Sequence, residues 1–515
     1  MSEQSPQTDA PEPAAAPEPP AAAEPPAAAE PAAAAEHGET PEYDVLVIGG
    51  GPAGTAAALR AAGLGARTAL VEARRTGGTC VNTGCVPTRV LAKTARLVRE
   101  VRQAGDYGLA VSEQPVDWAR TVARVRATIE RVQEAKAEPE KLAAAGVDLV
   151  LEGRARFTGP HEVELEGSGR RLRARSVVIA VGGRSRRLPV PGAQLAVLPE
   201  EVLDLPAVPR RLAVIGAGNT GAQLVTVFDA LGSEVTLLEV APRILAQTDA
   251  DVSAAVHRAF VEQGVRVRTG VAGVSSLERD GDVVRLTWTD GEHDGGGERS
   301  EVFDAVLMST GWPASLDGLG LEAAGVEHTG RGIPVDEHLR TNVEHVYAVG
   351  DANQESMLVQ AAHREAEDAA VNAVLGPRRS RRHELLPAGG FTDPDYADVG
   401  LTEAQARERD PGCVVALVPF AQMERPVIDD RTRGFLKLVA DSRREQLLGA
   451  HAAGESAVEV VQAVTTAMAA GVDVATLARV EYAYPTYSAV IGAAARHLLS
   501  SAPTSYEHAD QGATG

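Results

Sequence analysis

Two of the three cysteines in this 515-residue chain lie close together, in Gly77-Gly78-Thr79-Cys80-Val81-Asn82-Thr83-Gly84-Cys85-Val86-Pro87-Thr88-Arg89. A glycine precedes Cys85 directly and Cys80 by two positions, and an apolar, arginine-bearing segment, Val90 to Val101, follows. If Cys85 opens a helix, Cys80 sits just ahead of it. A helix N-terminus favours negative charge, and thiol pKa values there fall to about 3.5–7.5. The spacing predicts a dithiol that opens and closes. A structural disulfide is disfavoured by the lack of a secretory signal and by an odd third cysteine. A zinc site would need two more ligands, and no second ligand pair is found in the sequence.

The elements that must position this pair are legible around it. Asp44-Val45-Leu46-Val47-Ile48 is a short β-branched run that reads as a buried parallel strand. Gly49-x-Gly51-x-x-Gly54 follows, then a small-residue helix, then a strand from Arg67 to Val71 that ends at Glu72. In this context the glycines permit a tight turn and close approach of a pyrophosphate at a helix N-terminus. The acid takes ribose hydroxyls. Each position recurs 167 residues later as Gly216, Gly218, Gly221 and Glu239, again between strands (Arg211 to Ile215, Glu234 to Leu238). Two dinucleotide sites in one chain suggest one flavin and one nicotinamide dinucleotide, with electron transfer between them.

Further along, a helical region is expected from Val116 to Ala145. Strands are expected at Glu162 to Leu165, Ser176 to Ala180 and Ala305 to Ser309. His345 to Val349 reads as a strand running into Gly350-Asp351, well placed to set a carboxylate against a ribityl or ribose hydroxyl. Asp290 to Glu298 reads as an exposed acidic loop, and Arg378 to Arg382 as a solvated basic linker. Cys413 and His363 read as packing residues. From Ala388 the pattern changes to strands followed by helices, an α+β module that buries a face against a partner.

The net charge of −21 argues against nucleic acid and anionic membranes as partners. An apolar content of 44 % allows a sizeable core. Residues 1–42 are Ala/Pro/Glu-rich with no lysine or arginine, and are expected to be disordered. No stretch approaches the ~20 apolar residues that span a bilayer. The N-terminus lacks the features of a signal peptide. A cytoplasmic, non-membrane protein is expected.

Taken together the chain resembles the class I pyridine nucleotide–disulfide oxidoreductase family, whose members include dihydrolipoamide dehydrogenase, glutathione reductase and mercuric reductase. The resemblance covers roughly residues 43–500. It rests on the two glycine motifs, on Gly78-Thr79-Cys80-Val81-Asn82-x-Gly84-Cys85-Val86-Pro87, on Thr341 through Ala348-Val349-Gly350-Asp351, and on Phe391-Thr392-Asp393-Pro394 with Val399-Gly400-Leu401-Thr402. It implies an α/β fold with two Rossmann-like dinucleotide-binding domains and a C-terminal α+β dimerisation domain. The expected divisions are a tail (1–42), an FAD-binding domain (43–190 and 312–376), an NAD(P)-binding domain (191–311), a dimerisation domain (386–502) and a tail (503–515). The implied partners are a second copy of the chain and a small-molecule electron acceptor.

The resemblance also assigns roles. FAD would contact Gly49, Gly51, Gly54, Glu72, Gly78, Thr79, Arg89, Ala155, Gly182, Asp351 and Val359. NAD(P)H would contact Gly216, Gly218, Gly221, Glu239 and Gly311. Cys85 would be the flavin-side thiol, in charge-transfer contact, and Cys80 the interchange thiol. Glu239 favours NADH, since its charge repels a 2′-phosphate; Arg243 lies four residues on.

Several positions depart from the family pattern. Tyr484 and Ala489 stand where these enzymes commonly carry an acid–base His and its Glu. A Tyr with pKa ~10 is a poor base, and losing general acid–base catalysis typically costs ~10²–10⁴-fold. A Tyr in this region resembles mercuric reductases, where it lines the metal site, yet their C-terminal cysteine pair is missing here. Arg89 replaces a Lys near the flavin and Gln223 its Glu partner, so a positive charge by the flavin with no counter-charge is expected. Asn219 stands where an aromatic residue often gates the nicotinamide pocket. The acceptor is therefore expected to be a metal ion, a quinone or a small disulfide. A diaphorase with a vestigial disulfide, a dihydrolipoamide dehydrogenase-like enzyme and a redox-sensing flavoprotein are the alternatives.

Overall fold

The computed structural model describes residues 41–291, 296–380 and 385–500. The expected tails lie outside the described residues, except Pro41 and Glu42, as do Arg381 and Arg382 of the basic cluster.

The β-branched runs form the interior strands of parallel sheets. Tyr43–Ile48 pairs in parallel with Thr68–Val71 on one side and Arg171–Ile179 on the other. Asp148–Val150 extends one edge, and Glu162–Leu165 with Ala155–Gly159 the other. Val346–Ala348 also pairs in parallel with Arg171–Ile179, so a strand from much later in the chain completes this seven-stranded sheet. Val45, Leu46, Val47, Val177 and Val178 are fully buried, as strands covered on both faces require. Helix Pro52–Gly63 can lie close on the sheet because Ala57, Ala58 and Ala61 are its contact surface, packed against Ala366, Ala369 and Ala370 of helix Val359–Leu375.

A second parallel sheet runs Ala305–Met308, Arg211–Ile215, Glu234–Leu238, Arg266–Arg268, with a three-stranded antiparallel sheet beside it (Gly273–Asp280, Val283–Asp290, Gly297–Phe303). The last sheet is antiparallel and five-stranded, in the order Ala388–Gly390, Tyr396–Gly400, Leu447–Gly454, Gly434–Ala440, Val414–Pro419. Helices Ala457–Ala469 and Ala489–Ser500 share its core cluster. This is the α/β architecture with a C-terminal α+β module that the sequence leads one to expect. Cys413 packs in a small core cluster with Ala406 and Val439.

Two local expectations are corrected. The helix expected over Val116 to Ala145 breaks into Trp118–Lys136 and Glu138–Ala144, because Ala137 takes a left-handed conformation (φ 45°) and Pro139 opens the second piece. Asp290 is buried at the end of strand Val283–Asp290, where its carboxylate accepts from Trp288 Nε1 at 2.9 Å and Arg299 Nε at 2.6 Å; Gly297 and Glu298 open the next strand, and residues 292–295 of the expected loop lie outside the described residues. Cys80 sits just ahead of helix Cys85–Gln103, as expected, in a short helical turn of its own, Gly78–Asn82.

A buried ionic knot joins the second sheet's layer to the C-terminal module. Lys437 Nζ, 3 % exposed, meets Asp249 at 2.9 Å, Asp251 at 2.7 Å and Glu403 at 2.6 Å. Asp249 also caps helix Ala250–Glu262.

Candidate active site

Each glycine turn begins where its strand ends. Gly49 (φ 106°) and Gly216 (φ 99°) take the left-handed turn, and a Cβ on either would overlap a carbonyl, that of Ala180 or Ser309. A Cβ on Gly54 or Gly221 would overlap the carbonyl of Gly49 or Gly216. The middle glycines differ. Gly51 and Gly218 have ordinary extended backbone (φ −77° and −73°). A Cβ on Gly218 would meet nothing within 4 Å, and one on Gly51 nothing nearer than 3.7 Å. The chain's own packing does not demand glycine there. The open cradle lies at the N-terminus of a helix with no side-chain cap, so free N–H groups face it. Both turns therefore fit a dinucleotide pyrophosphate.

The repeat extends to the acids. Glu72 accepts from Gly50 N–H at 2.7 Å and Arg74 N–H at 2.8 Å. Glu239 accepts from Ala217 N–H at 2.6 Å and Ala241 N–H at 2.8 Å. These donors too are 167 positions apart. Each carboxylate is oriented by its own turn and keeps lone pairs for ribose hydroxyls.

The cysteine segment lies on the first turn. Gly77 N–H donates to Gly50 O at 2.8 Å, and Gly78 Cα faces Gly51. Asn82 donates to Thr76 O and Gly78 O, and Gln133 donates to Thr76 O and Asn82 Oδ1. Cys85 is the first residue of helix Cys85–Gln103, and its thiol is hydrogen-bonded to that of Cys80. That bond, with the helix-terminal backbone, brings Cys85 down to about 7 against burial and the charge of Asp351. The same bond and burial push Cys80 up. The shared bond thus makes Cys85 the more easily ionised of the two thiols and Cys80 the less.

Asp351 follows Gly350 (φ 62°), whose N–H donates to buried Glu365 at 2.8 Å. Burial raises the Asp351 carboxyl, and a 2.8 Å bond from Trp312 Nε1 opposes this. The Trp312 indole lies over Gly183, beside Gly182 (φ 69°), and leaves no room for a Cβ there. The first turn, Thr79, the cysteines, Gly182 and Asp351 converge on one face. Trp312 was not singled out from the sequence; an indole directly after Gly311, one of three tryptophans in the chain, is the only signal it offered. Ala155 is buried at the start of its strand, and Val359 is exposed at the start of its helix. Gly311 (φ 119°) follows the second sheet's edge strand.

The expectation for Arg89 needs correcting. Its guanidinium lies 2.9 Å above the centroid of the Phe391 ring. Burial lowers it, while Asp395 and Glu459 supply the counter-charge that the sequence was expected to lack. Gln223 donates to Asn219 O and accepts from Phe391 N–H. Asn219 is exposed, with its Oδ1 held by Tyr396 OH at 2.9 Å. Arg243 donates to the carbonyls of Leu245, Ala246 and Thr248. Tyr484 is 76 % exposed on the C-terminal module, and within one chain no hydrogen bond joins it to the cysteines among the described residues. His363 is a surface residue facing Glu367.

Residues 43–366 match the family described as pyridine nucleotide-disulphide oxidoreductase, and residues 386–495 match its dimerisation domain. A dihydrolipoyl dehydrogenase of Chlamydia muridarum is 32 % identical over 454 residues, 87 % of this chain and 95 % of that protein. A mercuric reductase of Bacillus cereus is 33 % identical over 439 residues, 85 % of this chain and 68 % of that protein. The HOCl-induced flavoprotein disulfide reductase RclA of Escherichia coli superposes with a TM-score of 0.77 at 25 % identity, covering 88 % of this chain and 99 % of that one. Its Cu(II) complex superposes with a TM-score of 0.78.

Proposed function

Since the chain belongs to the class I pyridine nucleotide–disulphide oxidoreductase family, we propose that it passes electron pairs from NADH through FAD and the Cys80–Cys85 pair to a small acceptor: a metal ion, a quinone or a small disulfide. It is an NAD(P)H-dependent flavoprotein disulfide oxidoreductase carrying the family's dimerisation domain. Among the described residues no helix is long and apolar enough to cross a membrane. A cytoplasmic homodimer is the reading that suits three cysteines and that domain.

Bound FAD and NAD(P)H supply the hydride and two-electron chemistry. The first glycine turn, Glu72, Thr79, Gly182 and Asp351 hold the flavin dinucleotide in this reading, and Gly216, Gly218, Gly221, Glu239 and Gly311 hold the nicotinamide one. The observation that carries the proposal is the placement of the dithiol: its segment is seated on the first glycine turn, with Gly77 N–H on Gly50 O and Gly78 against Gly51. Cys85, at a helix N-terminus and within reach of Asp351's charge, is the flavin-side sulfur in this reading. Cys80, on the short turn ahead of that helix, is the interchange sulfur. NADH is favoured because Glu239 is fixed at the ribose position while Arg243 spends its donors on backbone carbonyls. A small acceptor is favoured because Tyr484, not a histidine, is the exposed group available to a partner copy. Cu(II) belongs among the candidates, given the solved complex of RclA.

The test is an anaerobic acceptor screen with Hg²⁺, Cu²⁺, quinones, lipoamide, oxidised glutathione and oxidised mycothiol, on wild type, Cys80→Ser and Tyr484→His. Turnover with a small acceptor that collapses in Cys80→Ser supports the proposal. Turnover indifferent to Cys80→Ser with every acceptor would make the protein a diaphorase.

A further inference from the structure

Cys80, the sulfur that must act on the acceptor, is made the harder of the two to ionise by burial and its bond to Cys85, and the exposed tyrosine is a weak base for removing its proton. The chain carries another group on that side. Helix Trp118–Lys136 runs its C-terminal end against the Cys80 turn: Gln133 bonds Thr76 O and Asn82 Oδ1, residues on either side of Cys80. Lys136 follows Gln133 by three positions, so it shares that face. The left-handed Ala137 then turns the chain, and Glu138 enters the interior, 5 % exposed. Its Oε1 meets Lys136 Nζ at 3.1 Å, and its Oε2 is buried with no hydrogen-bond partner among the described residues. A buried carboxylate oxygen without a donor is costly and calls for an explanation.

We propose that Lys136 and Glu138 are the proton-handling pair of the interchange thiol, with Glu138 Oε2 receiving the proton of Cys80, directly or through one water. This rests on the reading of Cys80 given above. Reoxidation of the pair joins Cys80 and Cys85 in one S–S bond, gives two electrons to the acceptor, and releases the single proton from Cys80 to Glu138. Renewed reduction brings two electrons and one proton from NADH, which restore the Cys80 thiol, and Glu138 passes the proton it received to the reduced acceptor or to solvent, so one proton leaves per turnover. Lys136, 3.1 Å from Oε1, fixes the carboxylate and leaves Oε2 for the proton. The titratable groups acting on Cys80 are Cys85 from the next helix and Lys136 and Glu138 from this corner, with Asp351 acting on Cys85. The pair acts through Cys80, so both are positioning residues.

The experiment uses the holoprotein reduced anaerobically with NADH. The rate of Cys80 alkylation by iodoacetamide is followed against pH by mass spectrometry, beside stopped-flow reoxidation by an acceptor that the wild type turns over. Glu138→Gln removes a negative charge, so the alkylation midpoint of Cys80 moves down. Reoxidation slows on the order of 10- to 100-fold, as loss of a general base does. Glu138→Asp retains much of the rate, and Lys136→Met in the Gln background moves the midpoint back up. An unmoved midpoint with unchanged reoxidation in Glu138→Gln overturns the inference and leaves the proposed function standing. If the Gln variant does not fold, Lys136→Met alone carries the measurement: removing its positive charge moves the Cys80 midpoint up, and an unmoved midpoint with unchanged reoxidation overturns the inference. Turnover indifferent to Cys80→Ser overturns the functional reading instead, whatever the alkylation profile.

Discussion

Replacing Lys437 by Met keeps the length and apolar body of the side chain and removes only its charge. Asp249 and Asp251 lose their cation, Glu403 keeps only Arg407, and Asp249, 2 % exposed, cannot turn to water. Breaking a buried ion pair from one side costs about 3–5 kcal/mol. At roughly 2–4 °C per kcal/mol, thermal unfolding should start some 6–20 °C lower. The pH dependence gives a second, signed test. Burial would lower the lysine, but the carboxylates outweigh it and hold it above its ordinary value. Burial would likewise raise Asp249 and Glu403, yet Lys437 holds both below the usual carboxylate range. Carboxylates depressed in the folded state contribute stability that is present above their unfolded values, about 4, and is lost as pH falls through the folded values. Without the ammonium, burial is opposed only by His451 and the Glu403 N–H, and Asp249 shifts upward. The variant therefore recovers stability as pH falls from about 7 toward 4, and the gap to wild type narrows. Urea unfolding by circular dichroism, with flavin release followed in parallel, measures the gap at both ends. A gap below about 1 kcal/mol at neutral pH, or one that does not narrow on acidification, refutes the reasoning.

Three further outcomes are expected. Gly218→Ala fills space that the chain leaves open, so it should leave the melting temperature unchanged while raising the KM for NADH at least tenfold; Gly221→Ala, which collides with Gly216 O, should lower the melting temperature, and both are read by thermal scanning and steady-state kinetics. Cys80→Ala removes the bond that brings Cys85 to about 7, so the pH midpoint of Cys85 alkylation should rise toward the ordinary thiol value of about 8.5; an unchanged midpoint would show that the helix terminus alone sets it. Asp395 is raised to about 7 by burial and by Glu455, against Arg89 and Arg96. Its stabilising contribution is full at low pH and lost as pH rises through 7, so Asp395→Asn should gain thermal stability relative to wild type at pH 8 and not at pH 5.

Much of the site was legible because it is local. A glycine turn needs a strand before it and a helix after it, and all three lie within twenty residues, so Gly49 to Glu72 and Gly216 to Glu239 could be read from spacing and from their common offset. The cysteine pair was legible for the same reason: helix onset at Cys85 follows from Gly84, Pro87 and the apolar run. Arg89 was misread because its counter-charges, Asp395 and Glu459, arrive from the C-terminal module some three hundred residues away. Trp312 meets Asp351 across 39 residues through a bond that no periodicity announces. The break at Ala137 was missed because alanine is the strongest helix former and rarely takes φ > 0. Yet that break is what turns Glu138 toward the interior.

The sequence by itself therefore determined the electron-input side: two phosphate cradles, their acids, and a dithiol opening a helix. Each depends on backbone geometry set by near neighbours in the chain. Only the tertiary structure decided how burial and a shared bond set the two thiols apart, what balances Arg89, and that the Glu138 carboxylate is buried beside Lys136. Those are questions of charge in a low-dielectric interior, where the answer depends on distances between residues far apart in sequence.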